Sequence, residues 1–263
     1  MVFGTSLVNF LKMNVWDYME LSSTKDPEKT PEWYEANWHN INTFVDENGK
    51  MFRDHVVERE YIIYIPNTLN VDEPSTCLIY YHGLGESAIH AFFNATGWKD
   101  ISNKNNCIVL YLDGEKTATD NRRGFDLKNS EIEYSCLENV INDLLKKYVR
   151  ALGKTYVVGY SNGSMMTCKL VQKYGSKLFA AGCIVMGGLG KDSKEVQKIP
   201  NLTSKIPLLI VTGDEDPYKQ GCEDAYQYFL SENFNVKLEV LKDTDHTYPI
   251  NFEQQIWNFL IDH

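Results

Sequence analysis

Ser161 is the residue around which chemistry can be built. It stands in Val157-Val158-Gly159-Tyr160-Ser161-Asn162-Gly163-Ser164, an apolar run that breaks on Gly-x-Ser-x-Gly and passes into a helical pattern. Such a stretch bends a strand sharply into a helix and leaves the serine hydroxyl exposed at the bend. Gly159 and Gly163 are needed for steric reasons, because a Cβ at either place would collide with backbone folded back beside the serine. A serine hydroxyl attacks a carbonyl carbon only when a base takes its proton, an acid orients that base and N–H donors receive the negative oxygen.

The base must come from six histidines. His39 lies in an N-terminal stretch of unclear pattern, His55 precedes a strand, His90 sits in a predicted helix and His263 ends the chain. His82 opens His82-Gly83-Leu84-Gly85 directly after an apolar run, where its ring is expected to hold the loop by hydrogen bonds. His246 differs: it lies in the polar stretch Lys242 to Pro249, between the last predicted strand and the last predicted helix. The acid is sought between serine and histidine, in Leu209-Ile210-Val211-Thr212-Gly213-Asp214-Glu215-Asp216-Pro217, where spacing leaves both Asp214 and Asp216 open. The N–H of Asn162, the first residue of the helix after the serine, supplies one oxyanion donor. The N–H of Leu84 is the expected second. The glycines of that second loop have neither the lysine nor the spacing of a phosphate-binding loop. Nucleophile, acid and histidine thus follow one another in an order compatible with this chemistry, each at the end of a predicted strand.

These residues need a scaffold, and its rhythm is visible from Arg59 onward. Apolar runs at Tyr61–Ile65, Cys77–Tyr81, Cys107–Leu112, Tyr156–Gly159, Cys183–Met186, Leu208–Thr212 and Val236–Leu241 read as strands. Helical periodicity marks about 132–152, Ser164–Tyr174 and about 252–261. Near-continuous apolar strands alternating with amphipathic helices specify an α/β fold, with a mostly parallel central sheet covered by helices on both faces. Function in such sheets sits at the carboxyl ends of the strands. Residues 1–57 read as an N-terminal extension packing on this domain or forming its rim, and residues 58–263 as the catalytic domain. Within the extension, Phe10, Leu11, Val15 and Tyr18 suggest a helix, and Trp16, Trp33 and Trp38 a cover for a flank of the sheet. Asn48-Gly49 offers a hairpin turn.

Composition narrows the partners. Lys and Arg number 26 against 36 Asp and Glu, a net charge of −10 that repels nucleic acid and anionic lipid. No run is long enough to span a bilayer. The six cysteines form no C-x-x-C pair, so neither a metal nor a redox site is expected. Their place in apolar runs reads as buried free thiols. The first residues lack a secretory pattern, and a glycan on the Asn162-Gly163-Ser164 sequon would block the serine. A cytoplasmic location is therefore expected. The sequence carries no indication of oligomeric state.

Taken together, the chain resembles the α/β-hydrolase esterases that include polyhydroxybutyrate depolymerases and feruloyl esterases. The resemblance is carried in order by Arg59-Glu60-Tyr61, His82-Gly83-Leu84-Gly85, Thr96-Gly97-Trp98, Tyr111-Leu112-Asp113-Gly114, Gly159-Tyr160-Ser161-Asn162-Gly163-Ser164, Gly213-Asp214-Glu215-Asp216-Pro217 and His246-Thr247-Tyr248-Pro249. It implies that Asp216, the aspartate before proline, is the acid. It also implies cleavage of small or oligomeric carboxylic esters through an acyl-serine, without cofactor or metal. Ser164 departs from the glycine usual in the family's elbow, which can tighten the packing behind the nucleophile. Leu112 stands where proline is common. Asn121 to Asp126 occupies the place of a tryptophan-bearing segment. The same triad would serve a peptidase or thioesterase, and a non-catalytic binding protein on this scaffold is the remaining alternative.

Overall fold

The computed structural model describes residues 43–263 apart from 46, 57–58, 71–72, 117–121, 150 and 192–193. A nine-stranded sheet runs through it in the order β1-β2-β3-β5-β4-β8-β9-β10-β11. The strands are β1 (Thr43–Val45), β2 (Gly49–Val56), β3 (Arg59–Pro66), β4 (Ser75–Tyr81), β5 (Cys107–Leu112), β8 (Leu152–Tyr160), β9 (Ala181–Val185), β10 (Leu208–Gly213) and β11 (Val236–Leu241). From β5 to β11 every pairing is parallel, whereas β1, β2 and β3 join antiparallel at one edge. The two-residue strands β6 (Glu115–Lys116) and β7 (Arg123–Gly124) pair separately from the sheet.

Alternation along the central strands explains the layers. Cys77, Ile79 and Tyr81 point into one core, and Leu78 and Tyr80 into the other. The first core is closed by α2 (Ser130–Lys147), α3 (Asn162–Tyr174) and α4 (Lys219–Ser231), through side chains such as Leu137, Val171 and Phe229. The second is closed by α1 (Trp98–Asn105) and α5 (Glu253–Ile261), through Trp98, Ile101, Ile256 and Trp257. Helices therefore cover both faces, as the run-and-period pattern requires.

Chain order reverses between β4 and β8. The connection after β4 leads outward to β5, and the one after β8 leads to β9 on the opposite side. A crevice opens at the carboxyl ends of such a strand pair, and that is where an open α/β sheet places its ligands.

Several boundaries differ from the sequence reading. Helix α2 stops at Lys147 instead of continuing to Leu152, because the N–H groups of Tyr148 and Val149 both turn back to the Leu144 carbonyl. Leu152 kept the helical period by coincidence; it begins β8 and pairs with Ser75. His55 lies inside β2 and so precedes the next strand, β3, from within its neighbour. The hairpin at Asn48-Gly49 forms, joining β1 to β2 with Val45 opposite Lys50. Residues 43–56 of the expected N-terminal extension thus continue the central sheet at its edge. The proposed first helix, Trp16, Trp33 and Trp38 lie outside the described residues.

Candidate active site

The serine half of the site is built from backbone. Ser161 follows β8 with φ 51° and ψ −116°, a conformation costing about 1–3 kcal/mol that persists only where its surroundings enforce it. They do so at every backbone group. Its N–H donates to the Val185 carbonyl of β9 at 2.9 Å, and its carbonyl accepts the N–H groups of Ser164 and Met165 at 3.0 and 3.1 Å. The flanking glycines leave no room for a side chain: a Cβ on Gly163 would lie 2.1 Å from the Tyr81 carbonyl oxygen, and one on Gly159 would lie 2.2 Å from that of Gly163.

Ser164, the atypical residue of this elbow, is fully buried and makes two bonds that a glycine could not. Its hydroxyl donates to the Ser161 carbonyl at 2.8 Å and accepts the Gly188 N–H at 3.2 Å. Two thiols secure the same turn: Cys222 accepts the Gly187 N–H, and Cys168 donates to the Gly188 carbonyl. All six cysteines are free and buried, as their apolar settings imply.

The histidine half is built from side chains. His246 Nε2 lies 2.9 Å from Ser161 Oγ, and its Nδ1 lies 2.9 Å from Asp216 Oδ1. Three residues spread over 85 positions of sequence are thus one hydrogen-bonded chain. Asp216 is 5% exposed, and its Oδ1 also accepts the Tyr218 N–H at 2.8 Å. Asp214, the other aspartate open by spacing, points outward and accepts the Thr244 N–H, a bond that lowers its pKa. The two turns meet because Gly213 has no side chain; a Cβ there would lie 2.0 Å from the Thr244 carbonyl oxygen.

Aromatic rings fix the imidazole. Tyr160 stacks on His246 with centroids 5.5 Å apart and donates its hydroxyl to the His246 carbonyl at 2.8 Å. Tyr218 covers the ring with centroids 4.8 Å apart. Sequence reasoning gave neither tyrosine a role, since both read as ordinary aromatic residues beside a motif.

The loop after β4 faces this pair across the crevice. His82 is fully buried. Its Nδ1–H donates to the Gly83 carbonyl at 2.8 Å, and its Nε2 accepts the Gly114 N–H at 2.9 Å. It therefore ties two strand-end loops together, the structural task expected of it. Gly83 sits against the Tyr160 ring and gives its N–H to Glu86. Among the described residues, the N–H groups of Leu84 and Asn162 have no protein acceptor. The Asn162 side chain instead grips Phe125, accepting its N–H at 2.7 Å. The turn Arg123–Asp126 is further held by Gly85, whose N–H donates to the Arg123 carbonyl, and by Glu133, which accepts the Asp126 N–H and pairs with buried Arg59 at 2.8 Å. This explains structurally why Arg59 belongs with the loop motifs. Glu133 carried no sequence signal, being one acidic residue of a helix.

A parallel α/β sheet with a serine elbow at its topological switch, an adjoining histidine and a buried aspartate defines an α/β-hydrolase. Residues 69–263 match the phospholipase/carboxylesterase family, and the chain belongs to that family of hydrolases. It is 29% identical to an uncharacterized hydrolase of Acanthamoeba polyphaga mimivirus, over 86% of this chain and 83% of that protein. Solved structures with the same fold include an S-formylglutathione hydrolase from Staphylococcus aureus (TM-score 0.62, 18% identity, 83% of this chain and 98% of that one). Another is the feruloyl esterase module from Clostridium thermocellum, complexed with sinapinate (TM-score 0.58, 14% identity, 82% and 88%). No helix among the described residues is long and apolar enough to cross a membrane.

Proposed function

We propose that the chain hydrolyses carboxylic esters through an acyl-serine formed on Ser161. The observation that carries this reading is the continuous chain Ser161 Oγ–His246 Nε2 and His246 Nδ1–Asp216 Oδ1, with 2.9 Å at both links. His246 takes the hydroxyl proton as Oγ attacks the ester carbonyl carbon, and Asp216 holds the Nδ1–H and balances the imidazolium that forms. The carbonyl oxygen becomes an oxyanion received by the N–H groups of Leu84 and Asn162, with the N-terminus of α3 adding its positive end. Collapse of the tetrahedral intermediate expels the alkoxide, which leaves as alcohol with the proton from His246. A water activated by the same imidazole then frees the acid and restores Ser161.

Family membership supports hydrolysis, and the resemblance to feruloyl esterase-like enzymes supports an ester of small or oligomeric size as substrate. The direct test is hydrolysis of p-nitrophenyl acetate and butyrate beside matched thioesters and amides. Esters are expected to be cleaved fastest, with Ser161→Ala losing at least about 10,000-fold of the rate. A purified chain that cleaves no ester and takes up no fluorophosphonate on Ser161 would sink the proposal.

A further inference from the structure

The sheet ends on an open edge at β11. This strand pairs with β10 and, among the described residues, with no other strand. Every residue of β10 is buried, whereas none of β11 is, and Lys237 and Val240 are exposed. Two hydrogen bonds fix which way its backbone points. The Asn235 and Leu241 carbonyls accept the N–H groups of Leu208 and Asp214 at 2.8 and 3.0 Å, so both face β10. Backbone groups alternate in direction along a strand. Lys237 and Glu239 therefore also turn theirs to β10, and Val236, Leu238 and Val240 turn theirs outward. No other described residue bonds to those outward groups.

An open row of this kind is a template for another strand, and edges are usually blunted by a bulge, a proline or an unmatched lysine. The register of β11 with β10 is unbroken and the strand holds no proline. Its lysine is not unmatched either, because Lys237 and Glu239 lie on one face with Nζ 2.5 Å from Oε1. On the other face, that of α4, Val236 and Leu238 are partly buried against the first core. Val240 on this face is 44% exposed, and Leu230 of α4, the helix packed on β11, is 46% exposed. Apolar surface is thus available beside the edge, which matters because a stable interface buries about 1,000 Å² or more.

A two-fold axis normal to the sheet would set two copies of β11 antiparallel. Outward groups can bond only to outward groups, so few registers are possible. With Leu238 opposite Leu238 of the second copy, Val236 meets Val240 and Lys237 meets Glu239, each twice. The Lys237–Glu239 pairs fall at non-hydrogen-bonded positions, where opposed Cα atoms are about 4.5 Å apart and opposite charges attract. A slip of one strand by two residues sets Lys237 against Lys237 in one direction and Glu239 against Glu239 in the other. The charges therefore select one register and match a copy of the same strand. We infer that β11 is a dimerisation edge, which joins β11 of a second copy in this antiparallel register. The inference is independent of the esterase reading and stands or falls without any turnover.

Sedimentation velocity of the full chain at about 100 μM tests it, a concentration at which even a micromolar dimer is well populated. Wild type is expected to sediment at twice the chain mass. Lys237→Glu sets carboxylate against carboxylate at both pairs, and Glu239→Lys sets ammonium against ammonium, so each variant alone should be monomeric. The double variant Lys237→Glu/Glu239→Lys reverses both pairs and should dimerise again. An equimolar mixture of the two single variants should also dimerise, because each strand then carries one sign of charge and meets the other. That mixture separates loss of charge matching from misfolding, since a misfolded chain would not recover a partner. A wild type that stays monomeric would leave the edge to a strand of another protein and overturn the inference. Single variants as dimeric as wild type, or a mixture that stays monomeric, would overturn it equally.

Discussion

The two halves of the site are held by different means. Ser161 is fixed by main chain: a β9 carbonyl, the first turn of α3 and two glycine contacts leave its backbone no alternative. His246 is fixed by side chains from separated elements, with Asp216 at one nitrogen, Tyr160 and Tyr218 on its ring and Tyr248 beyond. Backbone constraint is all-or-none, because a collision with a carbonyl has no small remedy. Side-chain constraint is graded, since each ring gives up a fraction of the order. Errors on the serine side should therefore cost stability and the whole site, and errors on the histidine side should cost mainly rate.

The sharpest test of that contrast is Asp216→Asn. It leaves packing intact but allows the imidazole the wrong tautomer, and ester turnover is expected to drop about 10,000-fold with little change in unfolding. Asp214→Asn, changed at the exposed neighbour, should leave turnover near wild type. A comparable loss in both would mean that the 2.9 Å contact to Asp216 is not the one that matters.

Gly163→Ala probes the other half. With a Cβ 2.1 Å from the Tyr81 oxygen, relief requires backbone to move, and a stability loss of about 3 kcal/mol in urea unfolding is expected. Stability within about 1 kcal/mol of wild type would show that the elbow yields more easily than its contacts indicate.

Tyr160→Phe should have the smallest effect. It retains the stack on His246 and removes only the hydroxyl bond to the His246 carbonyl, worth about 1 kcal/mol. A roughly fivefold loss in kcat, with KM preserved, is the expected signature. An unchanged kcat would show that ring contact alone seats the histidine.

The same contrast explains what could be read from the chain beforehand. The elbow was legible because its demands are local: two glycines, a serine and an apolar run within eight residues. The parallel sheet was legible because buried strands need continuous apolar runs, and the 48–49 turn because Asn-Gly favours a hairpin. His246 and Asp216 could be nominated by chain order, but the choice over Asp214 needed the resemblance. The clamp around the imidazole was not legible, because Tyr160, Tyr218 and Tyr248 acquire their roles only where distant segments meet. Glu133 was hidden for the same reason, being one acidic residue on a helix with its partner far along the chain. The end of α2 was misread because Leu152 kept helical phase after the backbone had already turned.

The six cysteines leave a practical opening. Every thiol is buried, and burial pushes those of Cys107, Cys136 and Cys222 up to about 12 and raises those of Cys77, Cys168 and Cys183 well above the usual thiol range. Alkylating reagents act on accessible thiolates, so the folded native chain presents them with almost nothing. A single cysteine introduced on the solvent side of α5 could then carry a fluorophore or spin label without deletion of the native six. That would turn the histidine loop into a segment whose motion can be followed spectroscopically in an otherwise unaltered protein.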